Sequence, residues 1–331
     1  MTEPERYDIE TGYYHYVTED VPKAARKCEL RKSTYPRDPI PYNRLSSIAE
    51  SVGDYETAVT EAREALRLEP MSVYFSNLAS FLVYANRLDE AQQTVQQAFA
   101  HKIDSAWPHL LLHWIAYLRS DATAMQREAD WARGKPDESQ FLDAQGSIAA
   151  IRGRMREALT LVERVNERET STEAAATSRA RHALTMAMVG DAKDALTLAD
   201  SVVSVSATWR TGLMTYAVGG DQPRVESLLA RFAGAPPVGF RSADVAPFTA
   251  LVNGVLQVKR GKAEEALQAL RTLGPNIAWP LAHVGLARAY AASGNAAASR
   301  TAYEDFFALW KNADPDVPIL VKARKEYALL K

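Results

Sequence analysis

Apolar and small residues return at every third or fourth position along most of this chain. That is the period of one helical face. Short turns rich in Gly, Asn, Asp or Pro interrupt these runs at regular intervals. The clearest stretch is Gly53 to Pro70, GDYETAVTEAREALRLEP. Gly53 and Asp54 predict a tight turn and a helix N-cap. Ala58, Ala62, Ala65 and Leu66 share one face, where small side chains let another helix come close. Pro70 ends the helix, because proline has no N–H and clashes with the preceding turn.

The same pattern recurs. Small residues fall at Ala24, Ala58, Ala91, Ala124 and Ala158, in steps of 34, 33, 33 and 34. A looser series continues at Ala195, Val225, Ala266 and Ser299. A repeat of about 34 residues is the length of one helix–turn–helix unit. The pattern predicts hairpins over Glu5–Pro36, Pro39–Pro70, Ser72–Asp104, Ser105–Pro136 and Ser139–Arg168. A sixth turns at Gly190-Asp191, a seventh spans Thr208–Phe232, and an eighth and ninth turn at Gly261 and Gly294-Asn295. Pro318–Lys331 reads as a single closing helix, with Lys322, Arg324, Lys325 and Glu326 giving it the polar outer face that a solenoid end needs. The Pro- and Gly-rich stretch Ala233–Pro247 predicts a long loop.

A single hairpin cannot bury its apolar face, but a stack can. The expected fold is therefore all-α: a right-handed solenoid of about nine helix hairpins with a C-terminal capping helix. Its groove would be lined by the first helix of each pair. Residues 1–168 form the regular part and 169–331 a more divergent continuation, with seams near 166–177 and 233–247.

Composition narrows the role. The 331 residues are 47% hydrophobic and 24% charged, ordinary for a folded chain. A net charge of −2 disfavours nucleic acid as a partner, since phosphate binding needs clustered Lys and Arg. MTEPERYDIE has no basic stretch leading into an apolar run, so no secretory leader is expected. The apolar run Leu110–Leu118 is too short to span a bilayer, so no membrane is expected either. Cys28 is the one cysteine, which fits a reducing, cytoplasmic setting. Its mid-helix place on the packing face predicts an inert thiol.

LSSIAESVGDYETAVTEAREALRLEP and LARAYAASGNAAASRTAYEDFF resemble tetratricopeptide repeats (TPRs). YPRDPIPYN, LHWIAYLRSDATAMQREADWARGKP and YEDFFALWKNADPDVPILVKARKEYALLK are similar to the C-terminal TPR region of bacterial eukaryotic-like serine/threonine kinases, especially the acidobacterial type. The kinase motifs themselves are absent: no Gly-rich loop, V-A-I-K lysine, H-R-D or D-F-G. The resemblance implies a non-catalytic scaffold that binds a protein or peptide in its groove. The alternative it implies is the regulatory or sensor region of a signalling kinase or transcriptional regulator. TPR clamps for acidic chaperone tails use Lys, Asn and Arg on successive first helices; of Asn43, Ser47, Asn77, Ala106 and Leu110, only Asn77 fits that set.

Counting from the turns places Tyr13, Tyr16, Asn43, Ser47, Ser76, Asn77, Ser80, Tyr84, His109, His113, Tyr117 and Asp143 on the groove wall. Tyr and His offer apolar bodies with polar tips, and Asn can hydrogen-bond a peptide backbone. His109 and His113 share a helical face, but a zinc site needs three or four ligands, so no metal and no cofactor is expected. Trp107, Trp114 and Trp131 are expected in helix packing rather than in a stacking platform. The basic run Arg152–Arg156 sits at a turn and reads as a solvated corner. No G-x-S-x-G, P-loop or dinucleotide fingerprint occurs, so no catalysis is expected.

Overall fold

The computed structural model describes all residues except 1, 19, 169–171, 204–207, 235–241, 272–279 and 331. Every regular element among the described residues is helical. The chain divides into two compact units, Met1–Phe141 with Val238–Asp244, and Leu142–Pro237 with Val245–Lys331.

In the first unit the hairpins follow one another directly. α1 (Glu3–Gly12) runs into a π-helical turn, Tyr13–Val17, and pairs with α2 (Val21–Thr34). Then come α3 (Pro39–Ser51) with α4 (Tyr55–Leu68), α5 (Ser72–Tyr84) with α6 (Leu88–Ala100), and α7 (Ala106–Leu118) with α8 (Ala122–Ala132). The turn before α4 needs a left-handed residue, and Gly53 supplies it at φ 79°. Asn86 and Ser120 take the same role at φ 58° in the next two hairpins. Asp54 then caps α4 by accepting the N–H of Thr57 at 3.1 Å.

The repeat of small residues is the packing register. Ala24, Ala58, Ala91, Ala158, Ala195, Val225, Ala266 and Ser299 are each fully buried. Ala124 is the exception and is only half-buried. In α8 the buried positions are instead Glu128 and Ala132. Ala58, Ala62 and Ala91 sit in one cluster with Leu78, Leu82 and Ile115, joining three successive hairpins.

The chain goes on with α9 (Glu138–Ile151), α10 (Met155–Arg168), α11 (Thr172–Val189), α12 (Ala192–Val202), α13 (Trp209–Gly219), α14 (Gln222–Gly234), α15 (Ser242–Lys259), α16 (Ala263–Arg271), α17 (Pro280–Ala292), α18 (Ala296–Leu309) and α19 (Pro318–Ala328), the second unit holding these helices save the first residues of α9 and α15. Gly146 lies where the next helix comes close: a Cβ there would meet Leu161 at 3.4 Å. The long loop expected over 233–247 is corrected. Ala233 and Gly234 end α14, and Ser242 to Pro247 already belong to α15; only 235–241 lie outside the described residues. The polar composition of 166–177 likewise does not prevent helix, which reaches Arg168 and resumes at Thr172.

α19 buries Leu320 and Ala323 and turns Lys322, Arg324 and Lys325 outward. It does not merely follow α18. Val317, Leu320 and Ala323 share one apolar cluster with Met155 of α10, Met188 of α11, and Tyr303 and Phe306 of α18. The last helix thus packs against helices from the start of its own unit.

Candidate functional site

In the first unit, the first helices carry a polar face whose best-defined feature is an amide pair one repeat apart. Asn77 Nδ2 donates to Asn43 Oδ1 at 2.8 Å. The identical residue type recurs because the repeat returns to the same face after 34 positions. Asn43 Nδ2 and Asn77 Oδ1 have no partner among the described residues. The pair leaves N–H donors and a carbonyl acceptor, the two kinds of group that complement a peptide group. Ser47 donates to the Asn43 carbonyl at 3.2 Å, and Ser76 and Ser80 are half-buried beside Asn77 on α5. Arg44 beside this face pairs with Asp8 of α1 at 3.0 Å.

Tyr84 closes α5 and is 54% exposed, with its ring 5.7 Å from that of Tyr55. Tyr13 and Tyr16 are exposed in the π-helical turn. Tyr117 is half-buried and packs edge-on against Trp114 at 5.8 Å. Asp143 belongs to the second unit, where it pairs with Arg181.

The two histidines are corrected. His113 is 1% exposed and points into its own hairpin, its Nδ1 3.0 Å from the Met125 carbonyl and its ring edge-on to Phe141. It cannot line an open wall. His109 also turns toward α8: Nδ1 lies 2.7 Å from Glu128 Oε2 and Nε2 2.9 Å from Asp104 Oδ1. Its ring stacks on Trp131 at 3.8 Å. Both imidazoles are thus held by protein groups, and no cluster of three potential metal ligands occurs among the described residues.

Glu128 was not singled out by sequence. It is 3% exposed and is held by His109 and by Arg127, whose guanidinium lies 2.9 Å away. A signal was available. Positions 62, 95 and 162, one repeat apart, are Ala, Val and Val and are buried; Glu128 stands in that series. A carboxylate at such a position needs partners brought to it.

The expectation for the tryptophans holds in part. Trp310 is buried, and Trp131 packs on His109, but Trp107 and Trp114 are only half-buried. Trp279 lies outside the described residues. Cys28 is buried, 3.6 Å from Thr11 Oγ1, and burial pushes its thiol up to about 11. A thiol so rarely ionised at neutral pH is a poor nucleophile.

No curated protein matches the chain. Among solved structures, a tetratricopeptide repeat protein from Parabacteroides merdae ATCC 43184 is 14% identical with a TM-score of 0.48, covering 76% of this chain and 98% of that one. The APC/C hetero-tetramer Cut9-Hcn1 is 12% identical with a TM-score of 0.47, covering 99% and 76%. Residues 41–70, which hold the amide-bearing α3 and the small-residue face of α4, match the tetratricopeptide repeat family.

Proposed function

We propose that the chain is a non-catalytic scaffold that holds an extended peptide of a partner protein on the first-helix face of its first unit. The observation that carries this is the Asn43–Asn77 pair. It offers amide N–H donors and an amide acceptor at a spacing set by the repeat. Exposed Tyr84, with Tyr55 beside it, adds an apolar contact at the end of the same helix. A preformed face loses little conformational entropy on binding, so modest contacts suffice. A protein or peptide suits this face better than nucleic acid, because the net charge of −2 gives no basic surplus. The buried, unreactive Cys28 suits the cytoplasm.

The resemblance of three segments to kinase tails supports a narrower version, in which this scaffold regulates a signalling kinase or transcriptional regulator. An adjoining kinase or winged-helix segment in the same reading frame is the observation that would favour it.

The test is a peptide array probed with the full chain, followed by titration of the best peptide. Asn77→Ala combined with Tyr84→Ala should weaken binding at least tenfold with unchanged helical circular dichroism. Equal affinity in the double variant would place the partner elsewhere.

A further inference from the structure

In the second unit, α9, α10, α11, α13 and α17 enclose a cavity of about 250 Å³. Its walls are mostly carbon and sulfur, with Ala150, Leu184, Met188, Met214 and Leu281 facing it. Three polar residues also line it: Ser147 of α9, Thr185 of α11 and, one turn earlier on α11, Arg181. Its guanidinium pairs with Asp143, so its charge is balanced. Its Nε, however, is buried with no acceptor among the described residues. Its side chain is 32% exposed, so the polar end of the cavity reaches solvent. Thr185 is already satisfied, donating to the Arg181 carbonyl at 2.9 Å.

Arg181 Nε is thus a buried donor without an acceptor on a residue that lines an apolar space. A buried donor without an acceptor is costly, and a ligand oxygen would relieve that cost. A hydrocarbon would leave the donor unmet, and an amine would add another. Size sets the rest. A dry cavity of about 150 Å³ takes benzene, so this one takes a ligand of about ten heavy atoms.

We infer that the cavity binds a medium-chain acyl group. Its carbonyl or carboxylate oxygen accepts from Arg181 Nε, and its chain lies among Leu184, Met188 and Met214. The site is in a different unit from the proposed peptide face, so either reading can fail without the other.

The test uses the full chain, titrated with octanoate, methyl octanoate and octylamine by isothermal calorimetry. Octanoate or its ester should bind one to one with a Kd on the order of 100 µM. Binding of the acid alone identifies a free carboxylate as the ligand group, and binding of the ester alone an esterified chain. Arg181→Met should weaken binding at least tenfold. Ala150→Phe, which fills the cavity from α9, should abolish it while circular dichroism stays unchanged. Should Ala150→Phe not fold, Leu184→Phe fills the same space from α11. The inference is overturned if neither octanoate nor its ester binds at millimolar concentration, if octylamine binds as well as both, or if a folded cavity-filling variant binds as tightly as the parent.

Discussion

Asp314 caps the start of α10 from far along the chain: its Oδ2 accepts the backbone N–H of Arg156, 158 residues before it, at 3.0 Å. Elsewhere the cap is local, as with Asp54, Asp121 and Asp191 at the starts of α4, α8 and α12. Arg154 stands just before α10, and a guanidinium cannot accept a hydrogen bond. The segment after α18 makes up the deficit. Asp314 N also donates to the Gly153 carbonyl at 3.0 Å, and Trp310 Nε1 to the Ile151 carbonyl at 2.9 Å. Gly153 has φ 75°, and a Cβ on it would lie 2.8 Å from the Trp310 ring. Asp314→Ala should therefore destabilise the chain by about 1 kcal/mol, the usual cost of a lost N-cap, while Asp314→Asn should retain most of the stability. Urea unfolding of both variants checks this; equal loss in the two would mean that charge rather than capping matters.

The small-residue register makes a contrast within one repeat series. Ala58 and Ala91 are fully buried, whereas Ala124 is half-buried. Replacing either of the first two with Trp should cost about 3 kcal/mol or more, because a close-packed interface has no room for the ring. Ala124→Trp should cost less than about 1 kcal/mol. Thermal unfolding of the three variants tests the ordering, and a similar loss in all three would contradict the register.

Much of this architecture could be read from the chain because helix packing is written in side-chain size. The hairpin turns and the spacing of Ala24, Ala58 and Ala91 follow from local chemistry and a fixed repeat. The candidate face was read less well. α7 is apolar nearly all round, so its two histidines look like its wet side, yet both turn inward to α8. Glu128 and Trp131, distant in sequence, give His109 a reason to do so. The Trp310–Val317 contacts with the Gly153 turn were equally hidden, since nothing local in either segment specifies the other. The density of aromatic residues in FFALW was the available hint.

Glu128 and His109 can be tested as a pair. His109→Ala removes one of two hydrogen-bonding partners from a buried carboxylate and should cost about 2 kcal/mol. Glu128→Leu alone should cost less, because it removes the group that needs solvation. The double variant His109→Ala with Glu128→Leu should be more stable than His109→Ala alone. A double-mutant cycle by urea unfolding reads the coupling, and strict additivity would mean that the contact contributes nothing.

The Cys28 thiol gives a signed pH dependence. Burial raises it from 9.0 to about 11, so the folded state favours the neutral thiol. The resulting stability is fully present below pH 9 and is lost as pH rises toward about 11. Cys28→Ser should flatten that part of the stability–pH curve. In the unsubstituted chain, a thiol-reactive disulfide at pH 8 should react only at the rate of unfolding; immediate reaction would show that the thiol is accessible in the fold.

His113 makes the opposite prediction at the acid end. Burial lowers its pKa below 6.5, against the weaker opposing pull of its Met125 contact and of Glu128. Nδ1 faces the Met125 carbonyl and must carry the proton, while Nε2 is buried without a partner. A second proton would set a charge in apolar surroundings beside Phe141. The unfolded chain has no such penalty and takes up that proton near pH 6.5. Stability contributed by the neutral ring is thus complete above pH 6.5 and declines as pH falls through the lowered folded value. His113→Asn keeps a donor for the Met125 carbonyl but cannot titrate. Its unfolding free energy should fall less steeply between pH 6.5 and 5 than that of the parent, and parallel curves would show that His113 is solvated in the native state.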